Sequence, residues 1–70
     1  MSETAPRLAH LLPHWAEHNA SHLETYRTWA ERAREAGLED CARALADAVA
    51  AAEAVGDALG KALEALPPES

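Results

Sequence analysis

A chain of 70 residues is long enough for one small domain only, and 18 of its residues are alanine. Twelve acidic against six basic residues give a formal net charge of −6 at pH 7, which argues against nucleic acid and anionic membrane surfaces as partners. The single cysteine excludes an intrachain disulfide, and the lack of a long uncharged apolar stretch or an apolar leader predicts a cytoplasmic protein. So small a domain offers few walls for a substrate pocket, and no enzymatic activity is expected.

Helix-forming residues dominate the chain up to two breaks, Gly37 and the pair Pro67-Pro68. Arginines in the turn before Gly37 are typical of a helix that ends at a glycine. This pattern predicts helix 1 over about residues 6–36 and helix 2 over about residues 39–66. Because the connection is so short, the helices must run antiparallel. The predicted fold is all-α, a two-helix hairpin that forms a single domain over residues 1–70.

The start of helix 1 has two interpretations, because Pro13 lies inside its pattern. In the first, Thr4 caps a helix with Pro6 in its first turn, and Pro13 kinks that helix. In the second, a short turn comes first and the main helix begins at Pro13. We favour a kink or a break near Pro13.

Apolar residues recur at heptad spacing in both helices, which is typical of helix bundles. In helix 1 the main stripe is Leu8, Trp15, His22, Trp29 and Ala36, next to Leu11, His18 and Thr25, with Leu12, Asn19, Tyr26 and Ala33 beside them. In helix 2 the stripe is Leu38, Leu45, Ala52, Leu59 and Leu66, next to Cys41, Ala48, Val55 and Ala62 and widened by Val49 and Leu63. One hairpin covers Trp15 and Trp29 from one side only, so we expect a homodimer that forms a four-helix bundle.

The four histidines of the chain, His10, His14, His18 and His22, recur every fourth residue. Each step of four residues rotates by about 40° around a helix. Measured against the stripe through the tryptophans, His22 is predicted to point inward, His18 mostly inward, His14 to the edge and His10 outward. Cys41, at the far end of the hairpin, is predicted to be a small buried residue.

Two histidines four residues apart can bind one metal ion, as they do in the HExxH zinc helices. His14 and His22 are about 12 Å apart along the helix axis, so the second chain of a dimer is expected to complete the site. We predict a site for divalent Zn, Ni, Co or Cu whose ligands are His14, His18 and His22, with His10 as an auxiliary ligand. The weaker candidate ligands are the carboxylates Glu17, Glu53 and Asp57.

Other interpretations of the same residues remain open. The histidines and Asn19 can form a buried polar layer that specifies the oligomer in a non-catalytic interaction module. Gly56 and Gly60 can make room for the ring of Trp15, or for haem with a histidine axial ligand, which is the less favoured alternative. An enzyme with Glu17 as the base for a metal-bound water is the least favoured of all.

The segment LLPHWAEHNASHLETYRTWAERAREAGLED resembles small bacterial and archaeal proteins and appended domains that carry HWxxHNxxH before a second acidic, Leu/Ala-rich helix. The matching positions are His14, Trp15, His18, Asn19 and His22, and the resemblance covers about residues 8–66. It implies a helical hairpin linked to transition-metal handling, in a family without an established activity. We therefore expect a metal carrier, buffer or sensor, whose further partner would be a metalloprotein or a transporter.

Overall fold

The computed structural model describes residues 2–68, which form two helices packed against each other. Helix α1 spans Thr4–Glu35 and helix α2 spans Glu39–Glu64. The described chain is a rod of 55 × 14 × 13 Å. The predicted all-α hairpin is therefore confirmed.

Helix α1 continues through Pro13, so the interpretation in which the main helix begins there is wrong. Pro13 cannot donate a backbone hydrogen bond to Ala9. Leu12, directly before it, is only 4 % exposed, and its packing against α2 offsets that loss. Thr4 is the first helical residue rather than the cap, and its backbone N–H donates to Oγ of Ser2 at 3.0 Å.

The turn between the helices depends on Gly37, as predicted. Gly37 has φ +80°, a left-handed conformation that costs a glycine little. Its N–H donates to the carbonyl of Arg34 at 3.0 Å, and the N–H of Leu38 donates to the carbonyl of Ala33 at 2.9 Å. These two bonds are the Schellman motif, which satisfies carbonyls at the end of α1 and turns the chain back toward α2.

The helices meet along a line of buried and half-buried residues, here called the seam. On α1 the seam is Leu12, Ala16, Asn19, Leu23, Tyr26, Ala30 and Ala33, and on α2 it is Ala42, Leu45, Val49, Ala52, Gly56, Leu59 and Leu66. Within the helices the intervals are three and four residues, as in a left-handed coiled coil, and Leu66, which follows the end of α2, comes seven residues after Leu59. Alanine and glycine on both sides let the helix axes come close together.

The seam on α1 is not the stripe that the heptad analysis favoured, because it lies one residue further along the chain. Trp15 is 43 % and Trp29 is 53 % exposed, and both His18 and His22 are exposed rather than inward. Side-chain size accounts for this, since the Ala/Leu stripe lets the two helix axes of the hairpin come close together, whereas indole rings in the seam would hold them further apart.

On α2 the stripe was partly correct. Leu45, Ala52, Leu59 and Leu66 lie in the seam as predicted. Leu38 is 56 % exposed at the turn. Cys41 is also exposed, so the prediction of a buried cysteine is wrong.

Candidate functional site

One flank of the seam carries ion pairs. Nη2 of Arg27 lies 2.7 Å from Oε2 of Glu53 across the two helices, and Nη1 of Arg27 lies 3.1 Å from Oε2 of Glu24. Arg34 pairs with Glu31 one turn further along α1. Arg27 and Glu53 each follow a seam residue by one position, so residues in that register face this side of both helices. We call it the ion-paired flank.

The opposite flank carries the residues that precede seam positions, among them Trp15, His22 and Trp29 on α1 and Val55 on α2. Together with their neighbours one turn away they form a surface that we call the aromatic face. Its members are Leu8, Leu11, Trp15, His18, His22 and Trp29 on α1, and Cys41, Ala48, Val55 and Ala62 on α2. Val55 on this face is 46 % exposed, whereas two further exposed leucines lie outside it, Leu38 at the turn and Leu63 near the end of α2, at 56 % and 39 %.

Two of the four histidines come together on the aromatic face. The ring centroids of His18 and His22 are 4.5 Å apart, and their planes are nearly perpendicular at 72°. His22 also stacks on Tyr26 at 6.0 Å, with an interplanar angle of 20°. The row of rings therefore runs from the aromatic face to the seam, and His22 is its middle member.

His10 and His14 lie further round α1 and are exposed. The outward direction predicted for His10 agrees with this. Within residues 2–68, no group of three or more His, Cys, Asp or Glu side chains is close enough to hold a metal ion. The structure thus brings together two of the predicted ligands, His18 and His22. The carboxylate of Glu53, a weaker candidate ligand, forms an ion pair with Arg27.

Asn19 makes a hydrogen bond within the hairpin that the sequence analysis did not predict. Its Nδ2 donates to the carbonyl of Ala52 at 2.9 Å across the seam. A Cβ added to Gly56 would lie 3.3 Å from that same Nδ2, so this glycine makes room for the Asn19 amide and not for the ring of Trp15. A Cβ on Gly60 would meet nothing within 4 Å. The signal was present in the sequence, because Asn19 has the same heptad position as Leu12 and Tyr26.

Acidic residues avoid the aromatic face. All 11 Asp and Glu residues in the described part of the chain fall in the heptad positions of the ion-paired flank or the outer surface. One cation lies at the rim of the aromatic face, Arg32, whose Cζ is 4.7 Å from the centroid of the Trp29 ring. The chain has a net charge of −6, but its acidic residues lie outside the aromatic face, so this face differs in character from the charged surface around it.

Between residues 2 and 68, neither helix has the combination of length and apolar character that crossing a bilayer requires.

Comparisons with known proteins identify a family but no characterised relative. No curated protein and no solved structure is significantly similar to the chain. The profile of a family described as "Domain of unknown function (DUF8180)" matches residues 8–66. This range includes the seam, the Gly37 turn and the whole aromatic face, and the chain therefore belongs to the DUF8180 family.

Proposed function

We propose that the protein binds a divalent transition metal ion through His18 and His22 and serves as a metal carrier, buffer or sensor. The observation that carries this proposal is the distance of 4.5 Å between the two imidazole centroids, one helical turn apart on one face. Histidines at this spacing bind one ion in zinc helices. Imidazole nitrogen suits Zn, Ni, Co and Cu alike.

Both rings can turn toward a single ion without disturbing the seam. His18 and His22 are exposed, and the contacts that hold the helices together lie on the neighbouring stripe. The surroundings also favour nitrogen-bound metals, since no carboxylate of the described chain shares the aromatic face. Mg²⁺ and Ca²⁺ prefer oxygen ligands and are not expected to bind there.

A pair of imidazoles leaves coordination positions to be filled, because zinc sites use three or four protein ligands. His14 precedes His18 by one turn and can pair with it, but it lies about 12 Å from His22 along the axis. The remaining positions around an ion held by His18 and His22 are therefore filled by water or by ligands from another molecule. The same proposal extends to bacterial and archaeal relatives that carry HWxxHNxxH, with a metalloprotein or a transporter as the further partner.

Isothermal titration with Zn, Ni, Co and Cu tests this function. We expect at least one of these ions to bind, and His18→Ala and His22→Ala each to weaken that binding by at least about tenfold. His10→Ala is the matched control, since it removes an exposed imidazole about 12 Å from His18 along the helix. The proposal fails if none of the four ions binds tightly, or if His10→Ala reduces the affinity as much as the other two variants do.

A non-catalytic interaction module is the second candidate, and the exposure of Trp15 and Trp29 favours it. In this function His18 and His22 are polar positions in a protein interface and hold no ion. Oligomeric state and melting temperature would then be the same with and without a chelator. We assign either function to the cytoplasm and expect no catalysed reaction.

A further inference from the structure

The hairpin exposes more surface than a folded protein of its mass normally does. Its accessible surface is 5463 Å², whereas a monomer of 7.5 kDa is expected to expose about 4,200 Å². Leu12, Ala33 and Ala52 are the buried apolar residues of the described chain, which is a very small core. The excess of roughly 1,200 Å² is of the order that one chain contributes to a stable protein interface.

Of the large apolar side chains that are exposed within residues 2–68, three lie on the aromatic face, and the other two are Leu38 and Leu63. Trp15, Trp29 and Val55 are all between 43 % and 53 % exposed there. Large exposed apolar patches with a polar rim mark protein contacts. The absence of acidic residues from this face, within residues 2–68, argues against a basic partner, whose cations would find no counter-charges.

The two helices contribute side chains of opposite size to this face. Bulky rings project from α1, at Trp15 and Trp29, whereas α2 presents mainly small residues such as Ala48 and Ala62. Two copies of the face are therefore complementary when α1 of one lies on α2 of the other, because each row of rings meets a row of small residues. Placing α1 on α1 would crowd the rings and leave a gap between the two α2 helices.

We propose that a second copy of this chain covers the aromatic face and forms a four-helix bundle with it, α1 of each chain lying on α2 of the other. The face extends over about 32 Å of the 55 Å rod, from Leu8 to Trp29 on α1. The twofold axis runs parallel to the helices, and the two Gly37 turns lie at the same end of the dimer.

This arrangement completes the metal site. The two α1 helices stand parallel at opposite corners of the bundle, so His22 of one chain and the same residue of the second chain lie at the same height near the axis. His18 lies one turn before His22 in each chain. The His18–His22 pair of each chain therefore supplies two of the four imidazoles of one site. This last step rests on the proposed metal function, whereas the dimer does not.

Sedimentation equilibrium on the wild-type chain in EDTA is the first test. We expect twice the monomer mass of 7.5 kDa, with dissociation on dilution. Trp29→Glu and Val55→Glu place a charge on the aromatic face and should weaken the dimer by at least about tenfold. Thr28→Glu and Ala54→Glu are adjacent exposed residues off the face, and their dimers should remain unchanged. Circular dichroism checks that each variant stays helical; if a face variant unfolds, the dilution series of the wild type decides.

Spin labels test the orientation. In a Cys41→Ser background, Glu35→Cys puts a label on an exposed residue beside the turn. The proposed dimer predicts a distance between the two labels far shorter than the 55 Å length of the rod. A distance close to that length would overturn the pairing of α1 with α2.

The outcomes separate the dimer from the metal. A dimer in EDTA that binds no metal supports the interface and contradicts the proposed function. A chain that stays monomeric at every concentration, with and without metal, overturns the interface and leaves the aromatic face to a different protein. A monomer that binds metal through His18 and His22 overturns the dimer alone.

Discussion

Helix α1 carries two heptad stripes side by side, and the hairpin closes only one of them. The seam is built from alanine and leucine with Asn19 and Tyr26, whereas the aromatic face is built from tryptophan, histidine and leucine. Both stripes satisfy the periodicity of a packed helix. The difference in their side-chain volume favours the seam as the stripe that meets α2, because its alanines let the two helices approach more closely than indole rings would.

The two stripes therefore serve different purposes. The seam holds the chain in its own fold through short-range packing and the hydrogen bond from Asn19 to the carbonyl of Ala52. The tryptophans and Val55 of the aromatic face are exposed in one chain, and the proposed ligand and partner would bind there. Changes in the seam should thus alter the stability of the hairpin, whereas changes in the face should alter binding.

Leu12→Ala should have the largest effect on stability. Leu12 is 4 % exposed, and replacing a buried leucine by alanine typically costs 2–5 kcal/mol, which is a large part of the unfolding free energy of a small domain. Urea unfolding followed by circular dichroism, at a concentration low enough to exclude association, measures this loss. Trp29→Ala removes a larger side chain that is 53 % exposed, and it should destabilise the isolated hairpin far less. Equal losses would contradict the division between seam and face.

The sequence was sufficient to predict the architecture. Gly37 marks the turn. The arginines before it indicate where the first helix ends, and the acidic residues after it indicate where the second begins. Of the kink or break predicted near Pro13, the break is wrong, because α1 is continuous there and the burial of Leu12 opposes the local cost of the proline. The cost of a proline inside a helix is a local property of that helix, whereas the continuation of the helix also depends on packing against the other helix.

The sequence was not sufficient to choose the stripe. Trp15 and Asn19 both lie on stripes with heptad spacing, so periodicity alone does not show which of them faces α2. Aromatic residues are usually core residues, which favours the wrong stripe. Only the fit of α1 against alanine-rich α2 excludes the tryptophans, and that fit is a property of both helices together. The pairing of His18 with His22 follows directly from their spacing, but their exposure follows from the choice of stripe.

The two glycines of α2 sharpen the description of the seam. Gly60→Ala should raise the unfolding free energy by up to about 1 kcal/mol, since it gains helix propensity and its Cβ meets nothing within 4 Å. Gly56→Ala gains the same propensity but pushes the Asn19 amide off the Ala52 carbonyl, and that hydrogen bond contributes about 1 kcal/mol. Thermal unfolding should therefore rank Gly60→Ala above Gly56→Ala. In an Asn19→Ala background the two glycine variants should become equivalent, and a persisting difference would mean that another contact constrains Gly56.

The ion-paired flank should give the smallest effect. Arg27 and Glu53 are about half exposed, at 45 % and 52 % of their side chains, and exposed pairs of this kind contribute 0.2–1 kcal/mol. A double-mutant cycle with Arg27→Ala and Glu53→Ala should give a coupling energy in that range that falls at high salt. The matched control is Arg43 with Asp40, 3.5 Å apart within α2 and more exposed, whose coupling should be smaller still. Arg27–Glu53 joins α1 to α2, so its coupling adds to the stability of the hairpin itself; a coupling no larger than that of Arg43–Asp40 would show that the seam alone holds the helices together.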